Sequence, residues 1–211
     1  MRFNLRSRLT AEFIGTAFLV AAIVGSGVMG EKLCGGNVAI ALLANTIATG
    51  AALVALICTF GPISGAHFNP VVTLADAIWG GLPWADARAY TAVQIIGGIL
   101  GATVAHIMFG LPAVSLSEHA RSGPALVFSE FIATLGLLIV IWGCSRLRSP
   151  SIIPVAVGCY IAAAYWFTAS NRSQIPQSQS HGHCRTHFLG FGSPMSPCSW
   201  LHRSLAGWLR H

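Results

Sequence analysis

The chain has 211 residues, of which 54% are hydrophobic and only 9% charged, with a mean hydropathy of +0.68. A soluble domain carries roughly 25% charged residues; so few charges cannot coat a water-facing surface, and the class is integral membrane protein. The net charge of +6 is spread over helix ends and a tail without a basic stripe, which excludes nucleic acid as a natural partner, and the six cysteines show neither disulfide nor zinc spacing.

In chain order, five apolar runs are candidates to cross a bilayer: Thr10–Met29, Val38–Phe60, Ala87–Phe109, Ala125–Gly143 and the shorter Ile152–Phe167. Each must be helical in lipid so that its backbone groups pair internally. Arg2, Arg6 and Arg8 precede the first run in the manner of a signal peptide. The run has the ~20 residues a span needs and no small-residue cleavage site after it, so it reads as an uncleaved span. Small residues such as Gly97, Gly98, Gly101 and Ala102 favour close helix packing. If the spans alternate, the N-terminal arginines, Arg88, Arg146 and Arg148 fall on one side, which is then cytoplasmic.

Ala11-Glu12-Phe13-Ile14-Gly15-Thr16 recurs as Ser129-Glu130-Phe131-Ile132-Ala133-Thr134, 118 residues later. Three spans lie between the copies, so the second copy enters from the other side. Inverted repeats of this kind enclose a pathway at the interface of the halves. Between the second and third runs stands Ser64-Gly65-Ala66-His67-Phe68-Asn69-Pro70-Val71-Val72-Thr73, then Leu74 to Trp79. Asn69 is a good N-cap and Pro70 suits the first helical turn. The apolar stretch that follows is too short to span, which marks a re-entrant half-helix whose N-terminus lies at mid-membrane.

This segment resembles the first Asn-Pro-Ala loop of the aquaporin (major intrinsic protein) family, and Glu12 and Glu130 resemble the buried glutamates of that family's first and fourth helices. The resemblance runs from about Arg8 to Asn171. It implies an all-α membrane protein, an inverted-repeat helical bundle with a re-entrant half-helix and five of the family's six spans present. Asn69, Pro70 and Val71 would form the pore motif, with Val71 standing where the family has alanine. His67, Glu12 and Glu130 would support the loops, with both glutamates buried. Spacing places Thr49 and Ala163 at a second, outer filter. Such small residues imply a wide opening that passes polyols or neutral metalloid acids. The resemblance further implies a homotetramer with one pore per subunit, in the plasma (cell inner) membrane, with the N-terminus cytoplasmic.

After Asn171 the composition changes: residues 172–211 hold five of the eight histidines and no apolar run of spanning length. The cluster His181-Gly182-His183-Cys184 has metal-ligand types, but a shifted reading frame accounts for it better. Loss of one base after the codon for Asn171 lets the segment from Arg172 to Gln179 restore to S-F-A-N-P-A-V-T, a second copy of the loop motif where the repeat requires one. Residues 1–171 are then the incomplete channel and 172–211 a disordered, aberrant tail. The expected function is passive transmembrane passage of water and small uncharged solutes, without enzymatic activity, cofactor or metal. The alternative is a non-conducting, truncated remnant. A coupled transporter would need more facing acids or histidines within the spans than Glu12, Glu130 and His106 supply.

Overall fold

The computed structural model describes residues 3–113, 124–147 and 149–168. Among the described residues six helices follow one another: α1 Leu5–Leu33, α2 Val38–Ser64, α3 Pro70–Ile78, α4 Trp84–Met108, α5 Pro124–Leu147 and α6 Ile153–Phe167, the last entered through a short 3-10 turn, Pro150–Ile152. Among the described residues, four helices (α1, α2, α4, α5) are long and apolar enough to cross a membrane. The fifth expected span, α6, is a helix of 15 residues, about 22 Å at 1.5 Å per residue against a ~30 Å hydrocarbon core. The residues of the tail lie outside the described ones.

Helices α1 and α2 begin where the sequence offers side-chain caps. The Asn4 side chain accepts from Ser7 N–H at the start of α1, and Asn37 accepts from Ala39 and Ile40 at the start of α2. α2 runs one turn beyond the expected Phe60, through Pro62, and ends at Gly65 in the left-handed conformation. Pro62 deletes one backbone hydrogen bond near this end, and Gly65 (φ 93°) closes the helix as glycine does best.

Two glycine contacts set the bundle. Gly97 and Gly101 of α4 bring that helix onto the backbone of α1, against the Phe13 and Ala17 carbonyls. Gly50 of α2 meets Gly158 of α6 in the same way, a side chain at Gly158 reaching to within 2.8 Å of the Gly50 carbonyl oxygen. Within lipid this close approach supplies the dispersion contacts that hold helices together. The core joins Leu19, Leu53, Phe68, Val72, Leu137, Val157, Ile161 and Tyr165 from five helices and the loop before α3. Large apolar side chains such as Phe18, Ile47, Ile99 and Phe131 point outward, which a lipid environment accepts. At one end Trp79, capping α3, meets Trp142 of α5 with ring centres 3.8 Å apart.

Candidate functional site

The loop Gly65–Asn69 folds back into the bundle because Glu12 gathers it. Glu12 is fully buried. Its Oε1 accepts from Ser64 Oγ (2.6 Å) and His67 N–H (3.0 Å); its Oε2 accepts from Phe68 N–H (2.8 Å) and Gln94 Nε2 (2.8 Å). Ser64 Oγ in turn accepts from Ala66 N–H at 3.1 Å. Ala66 and Phe68 sit at positive φ (50° and 47°), a conformation costing roughly 1–2 kcal/mol per non-glycine residue, and these hydrogen bonds offset that strain. They also orient the loop. In a trans peptide the carbonyl points opposite to its N–H. With the N–H groups of 66, 67 and 68 turned to Ser64 and Glu12, the carbonyls of Gly65, Ala66 and His67 face the other way. Phe68 anchors the tip against Gly15, where any side chain would overlap its ring. Gly15 is about 15 Å along α1 from Leu5, so the loop reaches the middle of the bundle.

Asn69 then caps α3 as its sequence implies, with Oδ1 accepting from Val71 N–H at 2.8 Å and Pro70 in the first turn. Beside the loop runs a cavity of about 180 Å³ whose apolar wall includes Leu19, Leu53, Leu137 and Val157. Its polar track is Thr49, the loop from Gly65 to Asn69, and Asp76. Asn69 and His67 therefore lie on the cavity, Thr49 is buried on it, and Val72 rather than Val71 meets it from α3. Pro70 and Val71 are half-buried beside it.

Two of the expected site residues lie off this cavity. Ala163 is exposed and does not line the cavity. The cavity face of α6 is Ile153, Val157 and Ile161, and one turn further the same stripe reaches Tyr165, whose hydroxyl lies 3.4 Å from Thr49 Oγ1. The Gly50–Gly158 contact sets this register. Glu130, expected to be buried like Glu12, is only half-buried. The loop it was expected to hold falls outside the described residues.

Several functional neighbours escaped the sequence reading. Gln94 ties Glu12 to Thr73 Oγ1 (2.9 Å). Tyr90 donates to the Ser64 carbonyl (3.0 Å) and accepts from Arg8 Nε (2.8 Å), and Arg8 pairs with Asp86 at 3.0 Å. A glutamine inside an apolar run was the available signal for Gln94. Arg8 was read only as a topological charge, yet it is buried. Among the described residues no group of histidine, cysteine and acidic side chains could hold a metal ion.

The chain matches the family model for the Major intrinsic protein over residues 2–172. It is 49% identical over 168 residues to an aquaglyceroporin, AqpS, of Rhizobium meliloti (strain 1021), covering 80% of this chain and 71% of that protein. It is 35% identical over 144 residues to aquaporin NIP1-4 of Oryza sativa subsp. japonica, covering 67% of this chain and 51% of the rice protein. To aquaporin NIP3-1 of the same plant it is 33% identical over 141 residues, covering 65% of this chain and 44% of that one. The chain thus spans about half the length of the plant relatives it matches.

Proposed function

Because this chain belongs to the major intrinsic protein family, whose members are channels rather than enzymes, we propose that it forms a passive transmembrane pathway for water and small uncharged solutes up to the size of glycerol. The observation that carries this reading is the cavity beside the Glu12-held loop, with acceptors along one side and hydrocarbon along the other. A solute entering it exchanges bulk hydrogen bonds for bonds to loop carbonyls and to Asn69, while the apolar wall excludes further water. The N-terminus of α3 carries a partial positive charge of roughly half a unit, which opposes cations at the same depth. Pro70 and Val71 set the start of that half-helix, and His67 helps hold the loop above it.

The outer pinch in this reading is the Thr49–Tyr165 pair, two hydroxyls in place of the two small side chains expected from spacing. Tyr165→Ala is expected to raise glycerol permeability several-fold relative to water, and Thr49→Trp to lower both. Stopped-flow shrinkage of proteoliposomes measures the two rates; an unchanged glycerol-to-water ratio in both variants would remove the pair from the pathway.

In this reading the N-terminus lies in the cytoplasm of a cell inner membrane, supported by the arginine distribution, and the assembly is a homotetramer, supported by membership of the family. Residues 172–211 are read as the product of a shifted frame. The support is that the family match stops at residue 172, where the histidine- and serine-rich tail begins. Sequencing the DNA across codons 170 to 175 tests this, and the absence of any single-base shift that opens the second loop motif ends it. For the channel itself, reconstituted protein is expected to speed osmotic shrinkage above protein-free vesicles. Correctly inserted protein with no such effect would leave the non-conducting remnant as the reading.

A further inference from the structure

Asp76 is out of place by every local criterion. It is the single acid on α3, Pro70–Ile78, and stands in the last turn, where the negative end of the helix dipole disfavours a carboxylate. It lines the cavity, and no described residue donates a hydrogen bond to its carboxylate. Its nearest polar neighbour is His67 Nε2, 3.7 Å from Oδ2, beyond hydrogen-bond range.

The network behind His67 decides what that nitrogen offers. Thr73 Oγ1 gives its one proton to the Asn69 carbonyl (3.1 Å) and accepts from Gln94 Nε2 (2.9 Å). Gln94 is itself fixed, because its other N–H is held by Glu12. The remaining lone pair of Thr73 faces His67 Nδ1 at 3.2 Å; the tautomer that completes this network, with the Thr73 proton on the Asn69 carbonyl, carries its proton on Nδ1 and leaves Nε2 bare. In that tautomer a bare nitrogen and a carboxylate oxygen converge on the cavity, two acceptors with no donor from the described residues between them.

We propose that His67 Nε2 and the Asp76 carboxylate form a binding subsite for solutes carrying hydroxyls on adjacent carbons, which donate one hydrogen bond to each acceptor. It rests on the channel reading and makes the subsite a selector for polyhydroxy solutes over single-hydroxyl ones. Gly81 is part of the device: a side chain there would overlap the Asp76 carboxylate and displace it.

The test is nitrogen NMR of the full chain in lipid nanodiscs, labelled at histidine, with the His67 signals assigned by their loss in His67→Gln. The probe is glycerol, with propan-1-ol as the single-hydroxyl control. The expected result is a neutral ring protonated at Nδ1, whose Nε2 resonance moves progressively with glycerol and less than half as far with propan-1-ol. Asp76→Leu and Gly81→Ala should each at least halve the glycerol response. A ring protonated at Nε2 or at both nitrogens, an equal response to both alcohols, or an undiminished response in both variants would overturn the proposal. Water permeability of the same preparation in vesicles separates the two levels: flux with a silent Nε2 sinks the subsite alone, and a responsive Nε2 without flux sinks the channel alone.

Discussion

Glu12→Ala is expected to prevent stable folding of the channel. The substitution leaves four donors without their acceptor in the bundle interior: Ser64 Oγ, the His67 and Phe68 N–H groups and Gln94 Nε2. Each unsatisfied buried donor costs about 1–3 kcal/mol, so even partial rearrangement forfeits much of the ~5–15 kcal/mol that holds a protein folded. The strained φ values of Ala66 and Phe68 would then lose the bonds that offset them. Glu12→Gln keeps the volume and one acceptor oxygen but sets an amide nitrogen against two donors, so an intermediate loss of about 2–4 kcal/mol is expected. Thermal unfolding in detergent, followed by size-exclusion, should rank wild type above Gln above Ala. Glu130→Gln, at a half-buried position, should change far less. Equal melting of the two glutamine variants would show that the loop does not depend on Glu12.

Gly101→Val should be nearly as damaging, for a steric reason. Any Cβ at 101 would overlap the Ala17 carbonyl, and one at 97 would lie 2.5 Å from the Phe13 carbonyl oxygen. Neither obstacle is a flexible side chain, so the helices must part. Overpacking costs about 1–3 kcal/mol where side chains can yield, and a backbone that cannot yield puts the cost at or above the top of that range. The damage would spread, because the Gln94–Glu12 bond spans the same pair of helices at 2.8 Å and lengthens as they separate. Gly143→Ala is the control. Among the described residues no neighbouring group lies within 4 Å of a side chain there, and alanine gains up to about 1 kcal/mol of helix propensity. The same melting assay should find 101 severe and 143 neutral or stabilising. Comparable melting for both would mean that α1 and α4 do not need backbone contact.

The features legible in the sequence were local or repeated. Asn69 and Pro70 signal a capped half-helix within two residues, and Glu12 stands out as an acid in an apolar run with a repeat partner. What could not be read depended on the packing of distant segments. Tyr165 rather than Ala163 faces Thr49 because Gly158 seats on Gly50, and counting along one chain segment carries no information about that seat. Arg8 sits where topology places a positive charge, yet its partners Asp86 and Tyr90 come from α4, some eighty residues away. Gln94 and Asp76 are polar intrusions whose meaning appears only once Glu12, Thr73 and His67 are brought beside them.

The contact between Trp79 and Trp142 joins the tip of the half-helix to α5, a helix whose bilayer-length window is 11% buried. Two indoles so close and inclined share their excitation, so their circular dichroism carries a paired band that neither ring shows alone. That optical signature belongs to the docked half-helix itself, and its disappearance on warming or on adding denaturant would time the release of α3 separately from the melting of the long helices.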